Sequence, residues 1–489
     1  MKRILYVGGE KKDLDLLKIK DINVDYVQNG MIAINATQTK EFDIIIIEDQ
    51  LPLMTPSRLI EEFISMKSNI PILSILRSDK RRVQIIDDCG HGLFGWIEPE
   101  SITSEELNEL LTNAKNYHEF LKNVPRHVKP SFTTIGYSNI VGVSSIILDM
   151  YHLLIQIKNK DVTTLLTGES GTGKNLVANT LHKTSLRRDR PNIAVNCPAI
   201  PSELLESELF GHEKGAFTGA IERTDGKFLK ANAGTIFLDE IGDMSASLQA
   251  KILRVLESGE IERVGGTETI KVDVRVVSAT NQNLEEKIHN GEFRQDLFHR
   301  INVFPILIPP LRKHKDDIPI LAFSILKKLV KKHNTPVRYI SYGGMNLLKA
   351  HSWPGNVREL ENTLERIVLI NDVPILTESE IKTILSDTSE LVNQSESIQP
   401  SPIIKNIPTS NDLKNTSDKI EHSEPIDAKI QEQSGSDIVK TLKELEYEAI
   451  QSGLSRTNWN MTLTAKQLGI SRMTLYRKLD QHGLRKNDE

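Results

Sequence analysis

A glycine-rich run that follows a short apolar stretch at residues 163–166 indicates phosphate-binding chemistry. Its Gly-x-x-x-x-Gly-Lys spacing lets backbone N–H groups face a β-phosphate, while the lysine reaches the β- and γ-phosphates. The run comprises Gly168, Glu169, Ser170, Gly171, Thr172, Gly173 and Lys174. Asn175 follows, where a Ser or Thr usually supplies a hydroxyl ligand to Mg²⁺. We therefore expect metal binding to depend on Asp239 and on water.

Two carboxylates, Asp239 and Glu240, end a second apolar run. Because the carboxyl ends of parallel strands meet at one edge of a sheet, we expect this pair to face the phosphates. An acidic pair alone is usually a solvated strand end, and it is the neighbouring phosphate loop that favours a catalytic role. A further buried run ends in Thr280 and Asn281, which predicts more polar groups at the same edge.

Small residues surround one aromatic and one hydroxyl side chain between these motifs. The run comprises Gly215, Ala216, Phe217, Thr218, Gly219 and Ala220. Such residues cannot build much core, so they predict a mobile loop tip that presents Phe217 and Thr218 to a partner. Within a nucleotide-binding domain, such a tip suggests that nucleotide turnover moves a small contact surface. An ordinary glycine-rich hairpin is the alternative.

These motifs resemble those of the AAA+ activators of sigma-54 RNA polymerase, over nearly the whole chain. The resemblance implies an ATPase in which Asp239 positions Mg²⁺ and Glu240 polarises the attacking water as general base. It also implies that Asn196 holds Glu240 between turnovers and that Thr280 and Asn281 sense the γ-phosphate. Taken alone, Asn196 is more often a strand-end cap.

Two arginine-containing segments match the same family. The segment 293–300 contains Arg294 and Arg300, and the resemblance implies that both reach the γ-phosphate of a neighbouring subunit. Surface salt bridges are the alternative, above all for Arg294. The segment 353–360 contains Arg358, which by resemblance contacts nucleotide from the lid. Arginines acting between subunits imply a homo-oligomer, from a dimer up to a hexameric ring.

The resemblance also supplies two macromolecular partners. The loop at residues 215–220 would contact the sigma-54 RNA polymerase holoenzyme and couple ATP hydrolysis to remodelling of the closed promoter complex. Residues 463–479 have the pattern of a helix, a turn and a helix, and resemble a Fis-type helix-turn-helix that reads enhancer DNA as a dimer. A basic helical hairpin in a protein contact is the alternative. The side chains left for DNA are Arg472, Thr474, Tyr476, Arg477 and Lys478.

The 489-residue chain is too long for one core and is predicted to be an α/β multidomain protein. Apolar runs at 4–7, 42–47, 70–76 and 93–97 predict buried parallel strands of a small doubly wound domain. The predicted segments are a receiver-like regulatory domain (1–120), a linker (121–137), an AAA+ P-loop ATPase domain with a helical lid (138–384), a disordered linker (385–436) and an all-α Fis-type helix-turn-helix domain (437–489).

The first domain resembles a response-regulator receiver but lacks the residues for phosphoryl transfer. Register places Gly8-Gly9 at the acidic metal-binding pair, Glu48 at the phosphoacceptor aspartate, and Glu98 at the lysine. Asp49 is adjacent, but a shift of one residue along a strand points its side chain elsewhere. We therefore predict that this domain is not phosphorylated and that control comes from a partner, a ligand or expression level.

Bulk properties restrict the setting. The net charge of -5 requires any DNA contact to come from a local basic patch. The two cysteines, Cys89 and Cys197, are far apart in sequence and argue against a disulfide framework or a zinc site. The low cysteine count makes a reducing cytoplasm the expected setting. No run of about 18 apolar residues occurs, so no membrane span is expected.

Two other functions stay open at this point. One is a DNA-bound regulator that acts by occupancy, and the other is an AAA+ remodeller unrelated to transcription. Degenerate receivers also occur in flagellar regulators of the FleQ/FlrA type, which bind cyclic di-GMP near arginines around the phosphate loop. Arg187-Arg188 is a candidate for that ligand, and a solvated basic turn is the alternative. Residues 137–139 lack the arginine which that group carries there.

Overall fold

A computed structural model of the chain describes most of residues 2–386 and a few positions near the C-terminus. The described residues fall into two units, one within Met1–Ser401 and the other within Pro402–Glu489. The described ranges are 2–8, 22–66, 69–125, 128, 132–133, 135–386, 450–452, 454, 457, 464 and 475.

The first sheet has five parallel strands in the order β2-β1-β3-β4-β5. Four of these strands lie on the four predicted apolar runs, which confirms that prediction. The strands are β1 (Lys2–Val7), β2 (Ile22–Val27), β3 (Ile44–Ile47), β4 (Ile72–Ile75) and β5 (Gly95–Ile97). The helices of this region are α1 (Gly30–Thr39), α2 (Pro56–Ser65), α3 (Asp79–His91) and α4 (Ser104–Asn123).

The edge strand β2 has no counterpart among the predicted strands. None of its residues is fully buried, and its sequence INVDYV interrupts the apolar positions with Asn23 and Asp25. Asp25 forms ion pairs with Arg3 at 3.2 Å and with Lys40 at 3.1 Å. An edge strand exposes one side to water, so it does not need the continuous apolar run of a central strand.

The second sheet is also parallel, with the order β10-β13-β16-β9-β17. The strands that follow β5 in the chain are β6 (Phe132–Thr133), β7 (Gly136–Tyr137), β8 (Ile140–Val141), β9 (Thr164–Thr167), β10 (Asn192–Asn196), β11 (Gly211–His212), β12 (Thr224–Asp225), β13 (Thr235–Asp239), β14 (Glu260–Glu262), β15 (Thr269–Lys271), β16 (Arg275–Thr280), β17 (Phe304–Leu307), β18 (Tyr339–Ile340) and β19 (Ile375–Leu376). All polar strand ends of this sheet therefore point to one edge.

Helices flank this sheet and continue into the lid. They are α5 (Ser145–Ile157), α6 (Lys174–Lys183), α7 (Ser202–Phe210), α8 (Lys227–Lys230), α9 (Ala246–Ser258), α10 (Leu284–His289), α11 (Gln295–Ile301), α12 (Ile318–His333), α13 (Tyr342–Ala350) and α14 (Asn356–Ile370). Short 3-10 turns lie at Cys197–Ala199, Ile241–Asp243, Leu311–Lys313 and Lys315–Asp317.

Asp317, at the start of the lid, is fully buried. Its carboxylate accepts hydrogen bonds from the backbone N–H of Val143 at 2.7 Å and of Ser144 at 3.0 Å, and from the Ser144 hydroxyl at 2.6 Å. A buried charge is tolerated when it is hydrogen-bonded in this way. Asp317 therefore anchors the lid to the segment that leads into α5.

The receiver-like domain packs directly on the lid. The rings of Trp96 and Phe323 meet edge to face at 4.6 Å. The Tyr339 hydroxyl donates to Glu98 at 2.7 Å, and Arg82 forms an ion pair with the same carboxylate at 3.1 Å. The predicted linker 121–137 contains the end of α4 and the strands β6 and β7. The domain boundaries themselves stay predictions.

The unit within Pro402–Glu489 has seven described residues. Ile450, Leu454 and Leu475 are buried, and the hydroxyls of Thr457 and Thr464 lie 2.5 Å apart. Taken over the described part of the chain, no helix has both the length and the apolar character needed to cross a membrane.

Candidate active site

The phosphate-binding loop lies between β9 and α6. Gly171 has a φ of +78°, a left-handed conformation that favours glycine. A Cβ atom at this position would lie 2.2 Å from the carbonyl oxygen of Gly355 in the lid, so no side chain fits there. Because α6 begins at Lys174, the free N–H groups of its first turn face the loop.

Lys174 is buried and joins the loop to the acidic strand end. Its Nζ donates to the carbonyl oxygen of Gly168 at 3.0 Å and lies 3.0 Å from Oε1 of Glu240. β13 ends at Asp239 in the same sheet as β9, with β16 between them. The sheet thus brings together the lysine and the two carboxylates that the sequence placed at this edge.

Glu240 has a φ of +56°, which is unusual for a residue other than glycine. Holding such a conformation costs on the order of 1–3 kcal/mol, and strain of this kind clusters at functional sites. Oε2 of Glu240 accepts from the backbone N–H of Asn281 at 2.9 Å, so the carboxylate is fixed at both oxygens. Asn196 ends β10 and pairs in register with Asp239. Among the hydrogen bonds of the described residues, none joins Asn196 to Glu240, and the role of Asn196 stays a prediction.

Thr280 and Asn281, the predicted phosphate sensors, lie at the same edge. Thr280 is buried, and its Oγ1 accepts from the backbone N–H of Gln282 at 3.1 Å. The Asn281 residue is exposed, and its backbone is the group that holds Glu240. Their side-chain roles toward nucleotide stay predictions.

Asp239 has the environment of a cation ligand. Burial and the neighbouring Glu240 charge raise the pKa of its carboxyl, while Lys174 and a hydrogen bond from Asn175 act in the opposite direction. Its Oδ1 atom is buried and has no hydrogen-bond partner in the part of the chain that the structure describes. A buried oxygen of this kind fits Mg²⁺, which binds oxygen ligands and is usually held by one or two carboxylates.

A clamp between the loop and the lid has no counterpart in the predicted site. Glu169 accepts two hydrogen bonds from the Arg312 guanidinium, at 2.5 and 2.6 Å, and a third from Nδ2 of Asn356 at 3.1 Å. These bonds lower the pKa of Glu169 from 4.5 to about 2. Asn356 is fully buried, has a φ of +55°, and its Oδ1 accepts from the N–H of Leu311 at 2.8 Å. In the sequence, only the Trp-Pro-Gly-Asn run could have indicated this role of Asn356, because Asn tolerates a left-handed conformation.

Arg358, the residue predicted to contact nucleotide from the lid, lies next to the phosphate-binding loop. Its backbone N–H donates to the carbonyl oxygen of Gly171 at 3.3 Å, and its side chain is exposed. Arg358 is therefore adjacent to the phosphate-binding loop, although its contact with nucleotide stays a prediction.

The two predicted arginine fingers differ in their contacts. Arg294 precedes α11, is exposed, and pairs with both oxygens of Asp296, at 2.6 and 3.0 Å. Arg300, on α11, donates twice to the carbonyl oxygen of Leu256, at 2.9 and 3.1 Å. Within one chain, Arg294 therefore forms the surface salt bridge that was the alternative to a role as an arginine finger. An exposed pair of this kind contributes little to stability and is readily exchanged for another partner.

The loop at residues 215–220 forms a closed tip. The N–H of Gly215 donates to the carbonyl oxygen of Ala220 at 2.9 Å. Gly215 and Gly219 have φ values of +82° and +111°, and a Cβ at either would meet no atom within 4 Å. These glycines are needed for the backbone conformation rather than for space. Phe217 is 39% exposed and packs edge to face on His212 at 5.0 Å, and Thr218 is exposed.

A buried arginine stabilises the base of this tip. Arg263 pairs with Asp225 at 2.9 Å, Glu268 at 3.2 Å and Glu213 at 3.4 Å. A guanidinium shared among three carboxylates fixes both strands of the base. The structure therefore joins an ordered base to a tip made of small residues.

The receiver-like sheet carries a second acidic pair, after β3. Glu48 accepts from the Tyr6 hydroxyl at 2.7 Å, and its carboxylate fills the space beside Gly8, where a Cβ would lie 2.4 Å away. Asp49 accepts from the Ser78 hydroxyl at 2.9 Å. Both carboxylates are therefore bound by protein groups. Gly9, the other predicted replacement, lies outside the described residues.

Arg187, a candidate for cyclic di-GMP, has its donors engaged. Its guanidinium donates to both carboxylate oxygens of Asp161, at 3.0 and 3.1 Å, and to Asp273 Oδ1 at 2.7 Å. It also donates to the carbonyl oxygens of Gly234 and Asp273. All five of its N–H groups are used, since a guanidinium has five. Arg188 is exposed and pairs with Asp189.

Three protein-family models match this chain, and all three matches begin after the receiver-like region. The sigma-54 interaction domain matches residues 140–307, the AAA+ ATPase lid domain residues 312–398, and the bacterial regulatory protein domain of the Fis family residues 441–482. The chain is 34% identical to the regulatory protein AtoC of Escherichia coli K12 over 489 residues, 99% of this chain and 98% of that protein. The chain belongs to the sigma-54-dependent transcriptional activators.

Two further relatives show how identity is distributed. The activator is 35% identical to the transcriptional regulatory protein ZraR of Salmonella typhimurium over 470 residues, which cover 95% of both proteins. It is 53% identical to the Nif-specific regulatory protein of Enterobacter agglomerans over 237 residues, 48% of this chain and 46% of that protein. Identity is thus higher over about half of the chain than over its whole length.

The activator is accordingly an AAA+ P-loop ATPase that binds nucleotide and carries a helical lid. It has a receiver-like α/β region before the ATPase and a Fis-type helix-turn-helix, a DNA-binding module, at the end of the chain. The predicted DNA contacts lie outside the described residues; they are Arg472, Thr474, Tyr476, Arg477 and Lys478.

Proposed function

We propose that the activator uses ATP hydrolysis to remodel the closed complex of sigma-54 RNA polymerase through the loop at residues 215–220. The observation that carries this proposal is the tip itself. It exposes Phe217 and Thr218 on a small-residue turn above an ordered base, within the same domain as the phosphate loop. We propose that a change at the nucleotide site moves this contact surface without unfolding it.

At the nucleotide site, each role follows from a contact. Lys174 places positive charge beside the phosphates, and Glu240, held by Lys174 and Asn281, removes a proton from the attacking water. Mg²⁺, when bound, neutralises phosphate charge. Asp239 would hold it through its buried oxygen, and the Asn175 side chain lies beside that carboxyl.

The proposed mechanism also requires a homo-oligomeric ring, because its arginine fingers act on the nucleotide of a neighbouring subunit. Arg294, just before α11, and Arg300, on α11, are exposed and bind only carboxylate or carbonyl groups of their own chain within the described residues. In a homo-oligomer they would exchange those partners for the γ-phosphate at the neighbouring site. We propose an assembly that grows from a dimer to a hexamer on this basis, with Arg358 contacting nucleotide from the lid.

We propose that the receiver-like domain is not phosphorylated. Glu48 replaces the acceptor aspartate and is bound to the Tyr6 hydroxyl, while Asp49 is bound to Ser78. Neither carboxylate is placed as a free nucleophile. The domain boundaries proposed for the chain remain 1–120, 121–137, 138–384, 385–436 and 437–489.

Enhancer recognition by a dimeric helix-turn-helix and control of flagellar genes complete the proposal. The match to the Fis family supports the first. The second rests on the degenerate receiver alone. Cyclic di-GMP would have to bind through Arg188, because the donors of Arg187 are occupied by Asp161, Asp273 and Gly234.

The test is ATP-dependent open-complex formation on a sigma-54 promoter with purified polymerase. Wild type is compared with Thr218→Ala at the tip and with Thr224→Ala in β12 as a matched control. We expect wild type and Thr224→Ala to open the promoter, and Thr218→Ala to fail while it keeps ATPase activity.

Equal opening by all three proteins would contradict the role of the tip. Binding to enhancer DNA and ATP hydrolysis without any opening by wild type would favour the alternative, regulation by occupancy. Glu240→Gln separates the two further, because occupancy predicts that this variant keeps both DNA binding and regulation.

A further inference from the structure

A cavity of about 120 Å³ lies between the receiver-like domain and the lid. Its walls are mostly apolar and come from β5 and α4 on one side and from α12, β18 and α13 on the other. Representative wall residues are Phe94, Trp96, Leu110, Ile320, Ile340 and Met345. The motifs for ATP hydrolysis and for sigma-54 contact use none of these residues.

Contacts around the cavity fix its two walls against each other. The Tyr339 hydroxyl donates to Glu98 at 2.7 Å, and the Tyr342 hydroxyl donates to Glu106. Each bond crosses from the lid to the receiver-like domain, more than 230 residues away in sequence. The cavity is therefore bounded by specific contacts rather than by a loose joint.

Acidic side chains outnumber basic ones among the residues that line the cavity. Glu98 is paired with Arg82 at 3.1 Å, and Glu106 also accepts from the backbone N–H of Thr103 at 2.9 Å. These two carboxylates thus have partners within the protein.

Two further carboxylates, Glu109 and Asp316, line the cavity and lie within hydrogen-bond reach of each other. Nδ2 of Asn113 donates to Asp316 at 3.1 Å, and Lys349 is the one cation among the residues that line the cavity. Burial, a hydrogen bond to Asp316 and the charge of Asp316 raise the pKa of the Glu109 carboxyl, while the charge of Lys349 acts in the opposite direction. Two carboxylates placed this closely disfavour each other's ionised form, and a positive charge beside them offsets that repulsion.

We propose that this cavity binds a small organic cation, with an apolar ring or short alkyl group in the cavity and a protonated amine against the Glu109 and Asp316 carboxylates. The volume sets the size of the apolar part, because an apolar cavity of about 150 Å³ takes a molecule such as benzene. A bound amine donates charge-assisted hydrogen bonds to both carboxylates.

Such a ligand would act on the arrangement of the two domains. It touches walls from both, so it binds the docked arrangement better than a separated one and shifts the population toward docking. The site thus supplies a chemical input to a domain that has lost its phosphoacceptor. This inference is independent of the promoter-remodelling mechanism, because binding can be measured without polymerase or hydrolysis.

The test is isothermal titration calorimetry of the full chain with benzylamine, in saturating ADP so that the nucleotide site is filled. Benzyl alcohol serves as the neutral probe of equal shape. We expect benzylamine to bind at one site per chain, at least about tenfold more tightly than benzyl alcohol. In Glu109→Gln/Asp316→Asn, this preference should disappear, whereas Glu105→Gln on the same helix should bind like wild type.

Ile102→Phe, which places a larger side chain in the cavity wall, provides a second variant. It leaves both carboxylates in place and should weaken both probes together. Absence of benzylamine binding to wild type would overturn the proposal. Equal affinity for the two probes, or unchanged benzylamine binding in both the carboxylate variant and Ile102→Phe, would also overturn it.

Discussion

The activator carries two acidic pairs at the carboxyl ends of parallel strands, and only one is placed for phosphoryl chemistry. Asp239 ends β13, and Glu240, the next residue, pairs with Lys174. Glu48 and Asp49 follow β3 in a sheet of the same parallel type. The two pairs are alike in residue type and in their position on a strand.

Their surroundings separate them. Glu240 is held by an ammonium and a backbone N–H, and Asp239 keeps a buried oxygen without a partner. Glu48 instead lies over Gly8 and accepts from Tyr6, so its carboxylate is bound within the receiver-like domain. A strand-end carboxylate is therefore a catalytic candidate only when a cation or phosphate-binding group is next to it.

Removal of the cation at the first pair should have the largest effect. Lys174→Ala deletes the ammonium that lies beside Glu240, and we expect kcat/KM for ATP to fall about a thousandfold or more. Lys183→Ala, in the last turn of the same helix, is the matched control. The measurement is phosphate release at saturating and limiting ATP, and a loss of less than tenfold in Lys174→Ala would contradict this role.

Loss of the clamp between loop and lid should have an intermediate effect. Arg312→Ala removes two hydrogen bonds from Glu169, and we expect ATP affinity to fall about tenfold, as for the loss of a charge-assisted pair. Lys313→Ala removes a neighbouring exposed charge and should leave affinity unchanged. Fluorescent nucleotide titration distinguishes the two, and equal behaviour of both variants would show that the clamp does not support nucleotide binding.

The second pair can be tested through the space that Glu48 fills. Gly8→Ala places a Cβ against the Glu48 carboxylate, which must move and give up its bond to Tyr6, so we expect a loss of about 1 kcal/mol in stability. The same change in a Glu48→Ala background should cost much less. Thermal unfolding of the four proteins measures this coupling, and a cost of Gly8→Ala that is the same in both backgrounds would refute it.

The smallest effect concerns acid stability. Because the pKa of Glu169 is about 2 in the folded protein, against an ordinary value of 4.5, the unfolded state binds more protons between these values. The contribution is therefore present above pH 4.5 and is lost as the pH falls toward 2. In Glu169→Gln, the melting temperature should fall slightly less steeply with falling pH in this window. The difference is small because the ion pair is partly exposed. Glu257→Gln, an exposed carboxylate on α9, should not.

Local patterns in the sequence predicted the parts that local chemistry determines. The phosphate loop and the central strands follow from glycine spacing and continuous apolar runs, and both lie where the sequence placed them. The edge strand β2 was not predicted, because its half-exposed residues interrupt the apolar run with polar side chains. The ion pair of Glu169 with Arg312 was not predicted either. Its two residues are 143 positions apart, and no sequence periodicity indicates such a pair.

Long-range pairing also changed the interpretation of Arg187. As a sequence, Arg187-Arg188 is either a ligand site or a solvated turn. In the fold, Arg187 is a structural residue that joins Asp161 and Asp273, while Arg188 remains at the surface. The partners of a charged residue, rather than its neighbours in sequence, decide between these roles.

The most direct test of the contrast between the two pairs is ATP hydrolysis by Glu240→Gln and Glu48→Gln, which are the same substitution at the two strand ends. We expect Glu240→Gln to lose about a hundredfold or more in kcat while it still binds ATP, because it removes the proposed general base. Glu48→Gln should stay within about twofold of wild type, because the receiver-like pair lies outside the machinery for hydrolysis. Equal losses in both variants, or full hydrolysis by Glu240→Gln, would contradict the account.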